Sequence, residues 1–151
     1  MAYDERLVAP PWVWAAGLVV ALIVAATVHG GAGGARAVVP YAVVPPLVLG
    51  ALLLGSRGRV RVRDGVLSVP GARIPLDRVG GVCPLDREGT RRLRGPVAEP
   101  RAYVATRAWL AQSVRVQIED PEDDTPYWLV GTRHPQALAA ALRGTTPRRP
   151  G

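Results

Sequence analysis

The chain has 151 residues and a formal net charge of +7, and all 19 of its basic residues are Arg. Its length admits one modest domain with an appendage and excludes a large multidomain enzyme. A single cysteine, Cys83, excludes an internal disulfide and the cysteine-rich zinc modules.

Residues 1–10 form a short polar N-terminal segment carrying Asp4, Glu5 and Arg6. The next 44 residues, 12–55, hold one formal charge, Arg36. They contain two uncharged runs, 12–28 and 37–55. At 1.5 Å per residue such runs extend roughly 25–29 Å, close to the hydrocarbon thickness of a bilayer. Pro11 suits a first helical position, where its missing N–H costs little. Trp12 and Trp14 fit an interfacial aromatic belt. Pro45-Pro46 would break a helix in water, whereas a membrane helix tolerates them as a kink. The segment His29-Gly-Gly-Ala-Gly-Gly-Ala-Arg36 reads as a flexible turn, so the two runs predict a helical hairpin. Core helices of a soluble protein would carry a polar stripe, and neither run has one. A cleaved signal peptide would open on a positive segment, whereas residues 1–6 carry two acids and one Arg.

The flanking charges set the expected orientation. Arg57, Arg59, Arg61 and Arg63 follow the second run, against Arg36 alone in the loop. By the positive-inside rule the C-terminal region is cytoplasmic, and two spans return the N-terminus to the same side. The predicted location is therefore the plasma membrane, multi-pass, with both termini cytoplasmic. An unpaired Cys83 suits that reducing compartment.

After residue 56 the period changes. Arg59–Arg63 alternates strictly, Asp64-Gly65 signals a hairpin turn, and Val66–Val69 reads as the partner strand. Pro70-Gly71 marks a second turn before a strand at 72–76, and 82–85 is a weaker strand. Residues 86–100, dense in charge with Gly89, Gly95 and two prolines, read as loop. Strands follow at 102–106, at 113–119 with Val114, Val116 and Ile118 on one face, and at 127–132, apolar on both faces and therefore central. An acidic turn, 120–126, separates the last two. Pro135 opens a helix that sets Leu138, Ala141 and Leu142 on one side and stops at Gly144.

The predicted fold is thus a membrane α-helical hairpin of two transmembrane helices plus an α+β cytoplasmic domain, mostly antiparallel β with one C-terminal helix. About seven short strands closed by a helix is also the order of pleckstrin-homology-like barrels, an analogy of fold alone. A small α+β roll is the alternative. The expected divisions are an N-terminal cytoplasmic segment at 1–10, the hairpin at 11–55 (helices 11–28 and 37–55), the β-rich domain at 56–144 and a disordered tail at 145–151.

Catalytic constellations are missing. His29 and His134 fall on opposite sides of the predicted bilayer, Ser56, Ser68 and Ser113 lack a nucleophile elbow, and Cys83 reads as a small core residue. The glycine run 30–34 lacks the Gly-Lys-Ser/Thr of a phosphate loop. Nucleic acid is not an expected partner, because the arginines are dispersed despite a pI of 10.9. No cofactor is expected. Asp120, Glu122, Asp123 and Asp124 offer oxygen ligands for a hard cation, but lack the spacing of a calcium loop and read as a solvated turn pairing with Arg115 or Arg133. The candidate interaction residues are Arg59, Arg61 and Arg63, beside the bilayer, Trp109 in a loop, and Tyr127 and Trp128. Consecutive strand residues face opposite ways, so one of that last pair is expected in the core and the other exposed or at a packed edge.

Tyr3-Asp-Glu-Arg-Leu7 before a Pro-Trp-rich run, with Asp120-Pro-Glu-Asp-Asp-Thr-Pro-Tyr-Trp-Leu-Val-Gly-Thr-Arg133 and Pro135 late in the chain, resembles an uncharacterised actinobacterial membrane-protein family, domain-of-unknown-function family 3093. The resemblance covers residues 3–143 and departs at Gly131, where that pattern has Ser. It implies two membrane spans and a cytoplasmic domain, and it assigns no activity. The absence of Lys, Asn and Phe agrees with the GC-rich source it implies. The expected role is a membrane-tethered binding module, not an enzyme, whose partners are the lipid bilayer and either a protein or anionic lipid headgroups. The alternatives are an accessory subunit of a larger membrane complex, or an enzyme using Arg and acidic residues of the β domain.

Overall fold

In a computed structural model the described residues are 2–29 and 33–145. The chain divides into two compact units, one made of Met1–Leu7 with Arg59–Gly151 and the other of Val8–Gly58. The fold is α+β, with two sheets that are antiparallel except at one edge and a C-terminal helix.

Unit Val8–Gly58 is a helical hairpin. Helix α1 spans Pro11–His29 and α2 spans Val39–Gly55. A 3-10 turn at Gly34–Ala37 occupies the start of the second predicted run, so α2 begins two residues late and has 17 residues. Residues 30–32 of the predicted flexible turn lie outside the described residues. Pro40 sits in the first turn of α2, and the helix continues through Pro45 and Pro46. Gly17 faces α2, and a Cβ there would lie 2.9 Å from Leu52 Cδ1 and 3.4 Å from Val48 Cγ1. Only Ala21 and Ala25 of α1 and Pro40 of α2 are buried.

Among the described residues the other unit holds eight strands. The first sheet runs in the order β1 (Tyr3–Arg6), β2 (Arg59–Arg63), β3 (Val66–Val69), β4 (Ala72–Pro75), all antiparallel. The β2–β3 turn is a two-residue loop with both Asp64 (φ 51°) and Gly65 (φ 73°) left-handed, the conformation that matches the twist of a tight hairpin. A 3-10 turn at Leu76–Arg78 leads to the second sheet, in the order β5 (Val79–Leu85), β7 (Ser113–Ile118), β8 (Tyr127–Gly131), β6 (Tyr103–Ala105). β6 lies parallel to β8, an edge pairing that the strand pattern did not reveal. β8 is buried throughout and central, as expected from its two apolar faces.

The core lies between the sheets. Val60, Val62, Leu67 and Ile74 from the first meet Val114, Val116, Trp128 and Val130 from the second, with Leu138, Ala139 and Leu142 of α4 (Pro135–Thr145). α4 runs through Gly144, one residue past its expected stop, and residues 146–151 of the expected disordered tail lie outside the described residues.

Within the polar N-terminal segment, to which the sequence pattern assigns no element, residues 3–6 form a strand. Two expectations are corrected. Within the expected loop 86–100, Arg87–Arg94 forms α3. Asp86 caps it by accepting from Gly89 N at 2.7 Å, Glu88 and Arg92 pair one turn apart, and Thr90 shares a buried 2.8 Å hydrogen bond with Ser113 of β7. A helix held by caps and polar pairs has no apolar stripe to betray it. Cys83 is exposed rather than in the core, because its register beside Arg115 puts it on the face of the second sheet opposite the core.

Gly71 (φ 90°) turns β3 into β4, and Tyr103 of the other sheet donates from its hydroxyl to Pro70 O at 2.8 Å. A Cβ at position 71 would stand 2.8 Å from that hydroxyl. Gly71→Ala therefore combines backbone strain with the loss of an inter-sheet hydrogen bond, and is expected to destabilise the protein by about 2 kcal/mol in denaturant titration.

Candidate functional site

Facing residues of paired strands share one side of a sheet. In the first sheet Val60, Val62, Leu67 and Ile74 point inward, so their neighbours point out. The register sets Arg6 beside Arg59, aligns Asp4, Arg61, Ser68 and Arg73 in one row, and places Arg63 beside Val66. The outer face thus gathers five arginines: Arg6, Arg59, Arg61, Arg63 and Arg73. All are exposed except the half-buried Arg59. Asp4 is the carboxylate on the face, taking Arg61 Nε at 2.9 Å, and Asp64 stands 3.7 Å from Arg63 at the turn. Arg59, Arg61 and Arg63 lie on this face together with two further arginines, Arg6 on β1 and Arg73 on β4. Continuing the register outward from the Asp64-Gly65 and Pro70-Gly71 turns would have found Arg73. Arg6 required recognising β1.

On the inner side of β1 the polar residues form a partly buried knot. The Glu5 carboxylate accepts from Tyr3 Oη at 2.6 Å, from Thr132 Oγ1, and from Arg133 N at 2.9 Å. Thr132 Oγ1 accepts in turn from His134 N at 3.0 Å and lies 3.0 Å from Tyr3 Oη. The residues come from β1 and from the junction between β8 and α4, so one carboxylate closes the N-terminal strand onto the far end of the domain. Burial, then the adjacent Glu5 carboxylate, pushes the Tyr3 phenol up to about 12. Sequence reasoning missed this cluster, although its members sit in the two stretches that carried the family resemblance.

The aromatic candidates are less accessible than expected. Trp128 packs in the core against Tyr103, with ring centroids 5.1 Å apart. Tyr127 faces the other way and is buried too, with the Arg115 guanidinium 4.7 Å above its ring. Trp109 is half-buried against the core with its indole nitrogen enclosed. Gly131 permits this part of the fold, since a Cβ there would meet Leu110 Cδ1 at 3.0 Å and Thr106 Cα at 3.1 Å.

In the acidic turn Asp120 pairs with Arg78, and its carboxyl is held below the usual range by the Glu122 N–H and then by Arg78. Asp123 accepts from Thr125 N at 2.9 Å. Among the described residues no group of three His, Cys, Asp or Glu side chains could hold a metal ion.

The knot is neither a metal cage nor a nucleophile–base pair, and its chemistry is that of a latch. Its pH dependence has a definite sign. Tyr3 titrates higher in the folded protein than in the unfolded chain, so its contribution is complete below pH 10 and is lost as pH rises from 10 to 12. Denaturation midpoints measured across that range should fall more steeply for wild type than for Tyr3→Phe. Glu5→Ala, which strands the Thr132 hydroxyl and the Arg133 N–H, should cost about 2–3 kcal/mol at neutral pH.

No curated protein and no solved structure matches the chain. The family described as Protein of unknown function (DUF3093) matches residues 2–142, a span that includes both halves of the Glu5 latch, and the chain belongs to that family.

Proposed function

We propose that residues 11–55 anchor the protein in a membrane as a two-span hairpin, and that the arginine face of the first sheet binds anionic lipid headgroups on the cytoplasmic side. The observation that carries the reading is five arginines on one sheet face against Asp4 and the turn residue Asp64. Each Arg near an anionic surface contributes about 1 kcal/mol, so the set can act as a lipid-selective contact beside a hydrophobic anchor.

The helices support the anchor. α1 is long and apolar enough to cross a membrane. α2, at 17 residues, extends about 26 Å and suits a slightly thinned bilayer or one met by its preceding turn. Leu18, Val19, Val20, Leu22, Ile23 and Val24 are exposed along α1, and Leu47, Leu49, Leu53 and Leu54 along α2. Water would penalise that surface on every side, and a bilayer would not. The pairing of β1 with β2, Arg6 opposite Arg59, favours two crossings over one. Both ends of the hairpin enter one sheet, so a single crossing would tear β1 from β2. Removal of α1 as a signal peptide would take β1 and the Glu5 latch with it. The C-terminal helix after the strands is what supports the pleckstrin-homology-like analogy, and β6 parallel to β8 departs from an all-antiparallel barrel.

Cys83 is the chain's one cysteine and is exposed, so it reports sidedness without engineering. In intact cells a membrane-impermeant maleimide should leave it unlabelled until the membrane is permeabilised. Labelling in intact cells would refute the cytoplasmic placement. For the lipid contact, phosphatidylglycerol should raise the thermal midpoint of the detergent-purified chain more than phosphatidylcholine does. That difference should vanish at roughly 1 M salt, where the Debye length is about 3 Å. Replacing Arg59, Arg63 and Arg73 with Gln should abolish the difference while leaving the midpoint in neutral detergent unchanged. Equal stabilisation by both lipids would overturn the headgroup reading.

A further inference from the structure

α3 presents a second basic surface, separate from the arginine sheet face. Positions 87, 91 and 94 of a helix fall within a sector of about 60° and extend over about 10 Å of its length. Arg87, Arg91 and Arg94 do line one cavity of about 400 Å³, walled by Ala108, Leu110 and Ala111. All three arginines are exposed. The acids of α3 are engaged elsewhere: Glu88 pairs with Arg92 at 3.2 Å, and the capping Asp86 accepts from Gly89 N. Among the described residues no carboxylate forms an ion pair with Arg87, Arg91 or Arg94.

The helix is also firmly placed. Thr90, on the same short helix, is buried against Ser113, so the three guanidinium groups extend from a backbone that is already fixed. Arg87, Leu110 and Ala111 continue into an adjoining cavity of about 390 Å³ that reaches Thr132, which leaves room for more than a single small anion.

We infer that the Arg87–Arg91–Arg94 cavity binds a diphosphate group. Three planar forks along 10 Å of helix exceed what one carboxylate can engage, whereas two linked phosphoryl groups offer each guanidinium a pair of acceptor oxygens. The alanine and leucine walls accommodate an apolar or planar substituent on that diphosphate. A solvated helix face would have the same charge but no walls and no unpaired convergence.

The test is calorimetric titration of the full chain in mild detergent with inorganic pyrophosphate. Saturable binding is expected, weakened about tenfold by either Arg91→Gln or Arg94→Gln. Arg92→Gln, whose guanidinium is paired with Glu88 and does not line the cavity, should bind within about twofold of wild type. Absence of saturable binding, or equal weakening by Arg92→Gln, would overturn the proposal. Thermal midpoints of the three variants should match wild type, which separates loss of the site from loss of the fold. Competition then identifies the source of the diphosphate. Stronger displacement by an alkyl diphosphate than by a nucleoside diphosphate assigns a lipid-derived ligand, and the reverse assigns a soluble one. The sheet-face variants at Arg59, Arg63 and Arg73 should leave pyrophosphate binding unchanged, so failure here and failure of the headgroup reading are distinguishable.

Discussion

A four-residue strand at the edge of a sheet, followed by a long helical excursion, has little of its own to hold it. β1 has one neighbour, and the chain leaves it for 52 residues between Arg6 and Arg59 before that neighbour arrives. Closing so long a segment carries an entropic penalty that four backbone pairs oppose only in part. The Glu5 carboxylate supplies what the ladder lacks. It reaches past the sheet edge to Thr132 and the Arg133 N–H at the start of α4, while Tyr3 donates to it from the same strand. In a partly buried setting each of these bonds is stronger than in water, and each would be costly to leave half made. The latch therefore acts as a unit: moving β1 strands a hydroxyl and a backbone N–H at the far end of the domain.

That arrangement constrains the hairpin through chain continuity. Because the last residue of β1 pairs with the first of β2, whatever residues 8–58 do, they must start and finish beside one another. Within the hairpin the same requirement is met by Gly17, which lets α1 approach Leu52 and Val48 of α2. A bulky residue there would force the helices apart. The apolar exterior of both helices favours a nonaqueous surrounding.

Most of the β domain was legible because its strands obey the two-residue period and its turns use residues that tolerate a left-handed backbone. Arg59–Arg63 alternates, Asp64 and Gly65 both adopt positive φ, and β8 is central because both its faces are apolar. What was not legible shares one cause: those elements are held by polar contacts to distant partners. β1 places Glu5 inward where a hydrophobic side chain would have signalled a strand. α3 replaces an apolar stripe with a cap, an ion pair and a buried hydroxyl pair. The parallel pairing of β6 depends on where β8 already lies. Tyr127 alternates with Trp128 as consecutive strand residues must, but Arg115 bends over its ring, and burial on that face could not be read from the strand itself. Of the candidate residues, Arg61 and Arg63 are exposed, Arg59 and Trp109 are half-buried, and Tyr127 and Trp128 are buried.

The exclusive use of Arg, which composition alone ascribes to genome bias, has structural consequences whatever its origin. An ammonium in place of Arg115 would keep the charge but lose the flat guanidinium that covers the Tyr127 ring. On the first sheet Arg61 of β2 meets Asp4 of β1 through its Nε. On α3, three forks converge on one cavity while a fourth, Arg92, is turned aside by Glu88. The net charge of +7 is therefore not a uniform coat. Strand alternation and helix periodicity place eight of the 19 arginines on two separate surfaces; on the sheet Asp4 takes Arg61, and on α3 Asp86 is held in the cap and Glu88 by Arg92.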